Sequence, residues 1–152
     1  MSSAHLPEVE AALEEAERLR QAGNYREGIA LLVSALQFGE KTAQIYFRLG
    51  NIYYDSHDLD RAEYAYKKAI EHDPAHVSAH HNLAVVYRKQ GRISEYVKQR
   101  KQALRLAGRH PERVQLSEEQ ARRVKRLALR LFLFGLGLVV AVLLLSYLLG
   151  RG

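Results

Sequence analysis

The sequence predicts an all-α protein: a solenoid of three helical hairpins, followed by a long C-terminal helix that contains one transmembrane span. Three observations lead there. A 34-residue pattern recurs three times between residues 9 and 110. Residues 131–149 run for 19 positions without a charge. Charge is also divided unevenly. Residues 1–76 hold 8 Lys/Arg against 13 Asp/Glu, and residues 77–152 hold 15 against 4, so a net −5 is followed by a net +11. An apolar fraction of 47% with 26% charged residues fits a packed chain rather than a disordered one. There is no cysteine, which excludes a disulfide scaffold, a thiolate zinc site and a cysteine nucleophile.

Residues 1–8 are expected to be a flexible N-terminus. Met1–Gln21 lacks an apolar stretch behind a basic start, the mark of a secretory signal. The first hairpin, residues 9–42, carries Ala16, Leu19, Gly23-Asn24-Tyr25, Gly28, Leu32 and Ala35. Its first helix is rich in glutamate (Glu10, Glu14, Glu15, Glu17), as suits an end repeat with a polar outer face.

The second hairpin, residues 43–76, is the most regular. It places Tyr46, Leu49-Gly50 and Tyr53 on one helix, Ala62, Tyr66 and Ala69 on the next, and Pro74 in the turn that follows. Those eight positions, at that spacing, resemble the tetratricopeptide (TPR) repeat. Packing explains the pattern. Gly50, Ala62 and Ala69 are small where two antiparallel helices must cross closely, and Tyr46, Leu49, Tyr53 and Tyr66 fill the space around them. One hairpin cannot bury its apolar face alone, so a stack of about three is expected. The third hairpin, residues 77–110, repeats Leu83-Ala84, Tyr87, Gly91 and Ala103. It departs at Tyr96, where a small residue is usual, and at Arg100, where an aromatic is usual. Its second helix is therefore expected to grade into a polar cap.

Gly108 and Pro111 punctuate the chain after the repeats, and residues 111–130 are expected to be a linker and a basic juxtamembrane helix. Ser117 and Gln120 are spaced for a capping box, so a helix should run from Glu118 into residues 131–149. As an α-helix that apolar segment is about 28 Å long, close to the ~30 Å hydrocarbon core of a bilayer. It is apolar all round, unlike a core helix with one wet face. Arg122, Arg123, Lys125, Arg126 and Arg130 precede it, and the 150–152 tail adds only Arg151. The positive-inside rule then puts the repeats in the cytoplasm. With so short a tail, insertion is expected to be post-translational, as in tail-anchored proteins. The basic cluster also suits anionic headgroups. Gly137 and Ala141 form a small-xxx-small pair through which two spans could dimerise. Arginine outnumbers lysine 16 to 7, which points to a GC-rich bacterial genome and so to a bacterial inner membrane.

The resemblance implies a concave groove lined by the first helix of each repeat. By register its residues are Glu10, Leu13, Glu17, Arg20 and Gln21 in the first repeat. In the second they are Gln44, Phe47, Asn51, Tyr54 and Asp55, and in the third Ser78, His81, Val85, Arg88 and Lys89. Such a groove, aromatic at its centre and oppositely charged at its ends, would take an extended peptide or a helix of a partner protein. Chaperone-binding members of the family grip a C-terminal carboxylate with Lys and Asn. The matching positions here are Leu13, Glu17, Arg48, Ser78 and Asn82, and Glu17 would repel that ligand.

His76 and His80 are four apart, a spacing that can hold zinc. His76 falls in a turn, however, and His80 takes the interior position that Tyr46 fills in the preceding repeat. No carboxylate completes a site, so a structural role is expected and no cofactor. The basic residues Lys98, Arg100, Lys101, Arg105 and Arg109 suit the neighbouring membrane better than nucleic acid. No nucleophile motif, phosphate loop or carboxylate pair suggests catalysis. The expected function is a non-catalytic scaffold or adaptor for protein–protein interaction. An alternative is a eukaryotic tail-anchored organelle adaptor resembling the mitochondrial fission protein in layout. A remoter one is a histidine-dependent metal-binding protein.

Overall fold

A computed structural model describes residues 5–109, together with 132, 134 and 135. The expected span at 131–149 lies outside the described residues except at those last three positions. So do Arg122, Arg123, Lys125, Arg126, Arg130, Gly137 and Ala141. Phe132, Phe134 and Gly135 are helical, and both phenylalanines are exposed. Among the described residues no helix is long and apolar enough to cross a membrane.

Residues 5–109 form six α-helices in three antiparallel pairs, with no strand among the described residues. The first pair is α1 (Leu6–Gln21) and α2 (Tyr25–Ala35), which a 3-10 turn at Leu36–Phe38 closes. The second is α3 (Thr42–Asp55) and α4 (Leu59–His72). The third is α5 (Val77–Lys89) and α6 (Ile93–Arg109). The result is a TPR-like helical solenoid. Leu6, Pro7 and Glu8, expected in a flexible N-terminus, form the first turn of α1. Pro7 suits that position, where its missing N–H would have had no helical partner.

The chain reverses three times in the same way. Gly23, His57 and Gly91 sit 34 residues apart, each at positive φ (81°, 64° and 75°). Around each, the next residue's N–H bonds five residues back: Asn24 to the Leu19 carbonyl at 2.8 Å, Asp58 to Tyr53 at 2.8 Å and Arg92 to Tyr87 at 2.9 Å. This is the Schellman ending, which wants glycine because a Cβ crowds the left-handed backbone. His57 adopts it without that freedom. The next helix then starts at once: the Asp58 carboxylate accepts the Arg61 N–H at 3.0 Å and caps α4.

Two buried clusters run through the stack. The first joins Val9, Ala12 and Ala16 of α1 to Leu32, Ala35, Ile45, Leu49, Ile52 and Ala65. The second joins Phe47, Ala62, Tyr66 and Ala69 to Ala79, Leu83, Val86 and Tyr87. Tyr46 and Tyr53, partly buried, pack against both. At the α3–α4 crossing, a Cβ on Gly50 would stand 2.5 Å from a ring carbon of Tyr66, so only glycine fits. The third pair is less enclosed. Tyr96 is half-buried, Arg100 is exposed, and α6 buries only Ala103 and Leu106. Its outer face is not the plain polar cap expected, because Ile93, Val97 and Leu104 lie exposed among the charges.

Candidate functional site

The first helices α1, α3 and α5 wall one open cavity of about 220 Å³. Its lining is Arg20 from α1, Asn51, Tyr54 and Asp55 from α3, Tyr66 from α4, and Asn82 and Val85 from α5. The structure thus brings together Arg20, Asn51, Tyr54, Asp55 and Val85 from the residues expected in the groove. It does not place Phe47 there. Phe47 is 8% exposed, its ring 6.1 Å from that of Tyr66 and 4.7 Å from that of His76. The reason is that α3 has neighbours on two sides. Ile45, Leu49 and Ile52 face the first hairpin, and Phe47 and Gly50 face α4 and α5. Gln44 and His81 are exposed but do not line the cavity. Glu10 pairs with Lys41, and Leu13 packs against the first cluster.

Two lining residues lie beyond the expected groove set: Tyr66, which the sequence placed in the core, and Asn82, which it named only as a carboxylate-clamp position. Tyr66 is 1% exposed, yet its hydroxyl reaches the cavity floor and donates to Asn51 Oδ1 at 2.8 Å. Burial pushes this phenol above its ordinary range, so it keeps its proton and acts as a donor. Asn82 Nδ2 donates to the same oxygen at 3.0 Å and lies 3.4 Å from the Tyr66 hydroxyl. The sequence signal was a tyrosine at an interior position, where a phenylalanine would have packed as well. A buried hydroxyl needs a partner. Asn51 Oδ1 is thus satisfied twice, whereas Asn51 Nδ2 and the side-chain oxygen of Asn82 have no hydrogen bond within the described residues, and both residues line the cavity. A hydrogen-bond donor and an acceptor side by side match a peptide unit.

The two ends of the groove differ in charge. At the α1 end, Glu17 accepts from Arg20 Nη2 at 2.7 Å, Gln21 at 3.0 Å and Arg48 at 3.1 Å, and Arg20 also pairs with Asp55. Partial burial raises the Glu17 carboxyl, but these hydrogen bonds and charges outweigh it and hold the group below its ordinary range. The hydrogen bond to Glu17 in turn holds Arg20 firmly charged. Two acids and two arginines cancel, so this end is polar and neutral rather than acidic. At the other end, α5 carries no carboxylate. Lys89 Nζ lies 4.8 Å above the Tyr54 ring, whereas Arg88 turns towards Tyr96 of α6 at 5.9 Å. Both cations are exposed.

The histidines do not converge. His76 caps α5 by accepting the Ala79 N–H at 3.3 Å. His80 is 6% exposed, with Nε2 3.1 Å from the Pro74 carbonyl and Nδ1 2.7 Å from Gln99 Oε1. Through these two contacts His80 ties the inter-repeat turn to α6. Among the described residues no three His, Cys, Asp or Glu side chains gather as metal ligands.

Comparison with known proteins agrees with this architecture. Residues 50–91 match a family described as TPR repeat. No curated protein sequence matches the chain. Among solved structures, a crystal structure of MamA is 25% identical with a TM-score of 0.63, over 68% of this chain and 61% of that one. A MamA structure from MSR-1 is 24% identical with a TM-score of 0.59, over 70% and 62%. The chain thus spans about three-fifths of the length of these MamA structures. A third similar structure is PcrH in complex with the chaperone binding region of PopB, at 16% identity and a TM-score of 0.66, over 80% and 94%. At that identity the likeness is one of fold.

Proposed function

We propose that this chain, a TPR-type helical-repeat scaffold, is a non-catalytic adaptor. In this reading it is held on the cytoplasmic face of a membrane and grips an extended peptide or a helix of a partner protein in its concave groove. The observation that carries the reading is the open amide pair of Asn51 and Asn82 on the cavity floor, braced by the Tyr66 hydroxyl. A peptide backbone satisfies a donor and an acceptor at once, and the edges of the cavity select side chains. Tyr54 and Val85 offer an apolar wall, and Lys89 beside Tyr54 favours an acidic residue at that point. The solved PcrH complex supports the fold's suitability for holding a segment of another protein.

Membrane display rests on the 19 uncharged residues at 131–149 and the five cations between 122 and 130. The test uses the full chain in its native membrane. A photo-crosslinking residue replaces Val85 in the groove or Tyr64, 57% exposed on α4. Adducts to another protein are expected from position 85 and not from 64. Adducts from 64 alone, or equally from both, would remove the groove as the binding site. Protease added outside intact cells is expected to spare the repeats, and their digestion would invert the topology.

A further inference from the structure

The outer face of α6 combines two features that the other outer helices do not share. Ile93, Val97 and Leu104 are 57%, 54% and 63% exposed, and their spacings of four and seven put them in one stripe along the helix. Lys98, Arg100, Lys101, Arg105 and Arg109 are exposed on the same helix. Its one carboxylate, Glu95, is already held by Arg92 at 2.9 Å. On α4, by contrast, all three cations have acidic partners: Arg61 with Asp58, Lys67 with Glu63 and Lys68 with Glu71. The five cations of α6 have no acidic partner among the described residues, so their field is uncancelled.

An apolar stripe alone would suit any hydrophobic partner, and cations alone would suit any polyanion. The combination is the signature of a helix that lies in a bilayer interface, its aliphatic side chains in the acyl boundary and its Lys and Arg among anionic headgroups. We propose that the outer face of α6 docks on an anionic lipid surface, with Ile93, Val97 and Leu104 inserted and Lys101 and Arg105 at headgroup level. Asn51 and Asn82 belong to the separate concave cavity, so docking leaves the groove free for a partner.

The absence of cysteine makes the test direct. Full-length Val97→Cys protein carries an environment-sensitive fluorophore. It is reconstituted in vesicles of phosphatidylcholine alone, or of an equimolar mixture with phosphatidylglycerol, each with and without brominated acyl chains. Arg26→Cys, exposed on α2, serves as the solvated control. A probe at Val140→Cys reports span insertion separately, so failure of the anchor and failure of α6 docking are read apart. Docking predicts a blue-shifted, bromine-quenched signal from position 97 in the anionic vesicles only, weakened by high salt. Replacing Lys101 and Arg105 by Gln should weaken docking roughly twenty-five-fold, about fivefold for each cation. A signal from position 97 that stays solvated in anionic vesicles overturns the proposal. So does a blue shift that brominated lipid fails to quench, because the stripe would then be covered by protein.

Discussion

Gly50→Ala places a methyl group where the fold has no room for one. Its Cβ would lie 2.5, 2.6 and 3.0 Å from three ring carbons of Tyr66, where carbon–carbon contact is comfortable at about 3.5–4.0 Å. The ring cannot swing aside freely: it is 1% exposed and its hydroxyl is tied to Asn51. The new Cβ is fixed to a helix backbone, so the clash falls on the α3–α4 crossing itself. Overpacking of this kind costs about 1–3 kcal/mol, and displacing the ring adds about 1 kcal/mol for its hydrogen bond. Against this, alanine in a helix gains about 1 kcal/mol over glycine. The expected net loss is about 2 kcal/mol, or roughly 8–16 °C in Tm for a domain of this size, read by circular dichroism at the helix band. Gly28→Ala is the matched control. There the nearest atom is a single terminal methyl, Ile52 Cδ1 at 3.0 Å, which needs to give by only a few tenths of an ångström, so the helix gain should offset the contact and leave Tm within a few degrees. The double variant Gly50→Ala/Tyr66→Leu should show coupling, since removing the ring removes the clash. An unchanged Tm for Gly50→Ala, or strict additivity in the double variant, would refute the reasoning.

His57→Gly should raise Tm, because His57 adopts at φ 64° the left-handed turn that Gly23 and Gly91 adopt at equivalent positions. A gain of about 1 kcal/mol is expected from relieving a Cβ there, less the added freedom of the unfolded chain. Phe47→Ala should cost about 3–5 kcal/mol in a thermal melt, as the loss of a buried aromatic does. Tyr54→Ala should cost about 1 kcal/mol or less while reducing crosslinking from position 85. Acid should loosen the α1–α3 contact through Glu17. Its folded carboxyl sits below its ordinary range, so its contribution is complete above the unfolded value of about 4.3 and is lost as pH falls through the lower folded value. Glu17→Gln should therefore lower Tm at neutral pH, and the difference from wild type should shrink as pH falls through the lowered folded value.

The hairpins are legible in the sequence because the crossing of two helices leaves few choices: the repeat spacing alone marks Gly50, Ala62 and Ala69 as small residues held at close approach. The groove is legible in part. Register gives the direction of a side chain relative to its own hairpin, which is enough for Asn51, Asp55 and Arg20. It does not say how far a neighbouring hairpin wraps, and so it leaves Phe47, on the same face of α3 as Tyr54, in the open. The same limit hides the meeting of Tyr66 with Asn82, whose polar ends come together only when α4 and α5 are set side by side. Charge counting also misleads at the α1 end. Glu17 and Asp55 look acidic in sequence, and only the folded chain closes Arg20 and Arg48 on them.

The cavity takes its walls from all three hairpins: Arg20 from the first, Asn51 and Tyr54 from the second, Asn82 and Val85 from the third. A stack of this kind opens from its ends, since each hairpin leans only on the next. A molecule seated across all three would act as a splint, suppressing fraying of the first and last hairpins by holding each to the middle one. Occupancy would then be felt far from the groove, as slower amide exchange at Val9 and Leu106. A partner would be held in proportion to how closely its span matches the pitch of the stack, so the spacing of its contacts would be selected along with their chemistry.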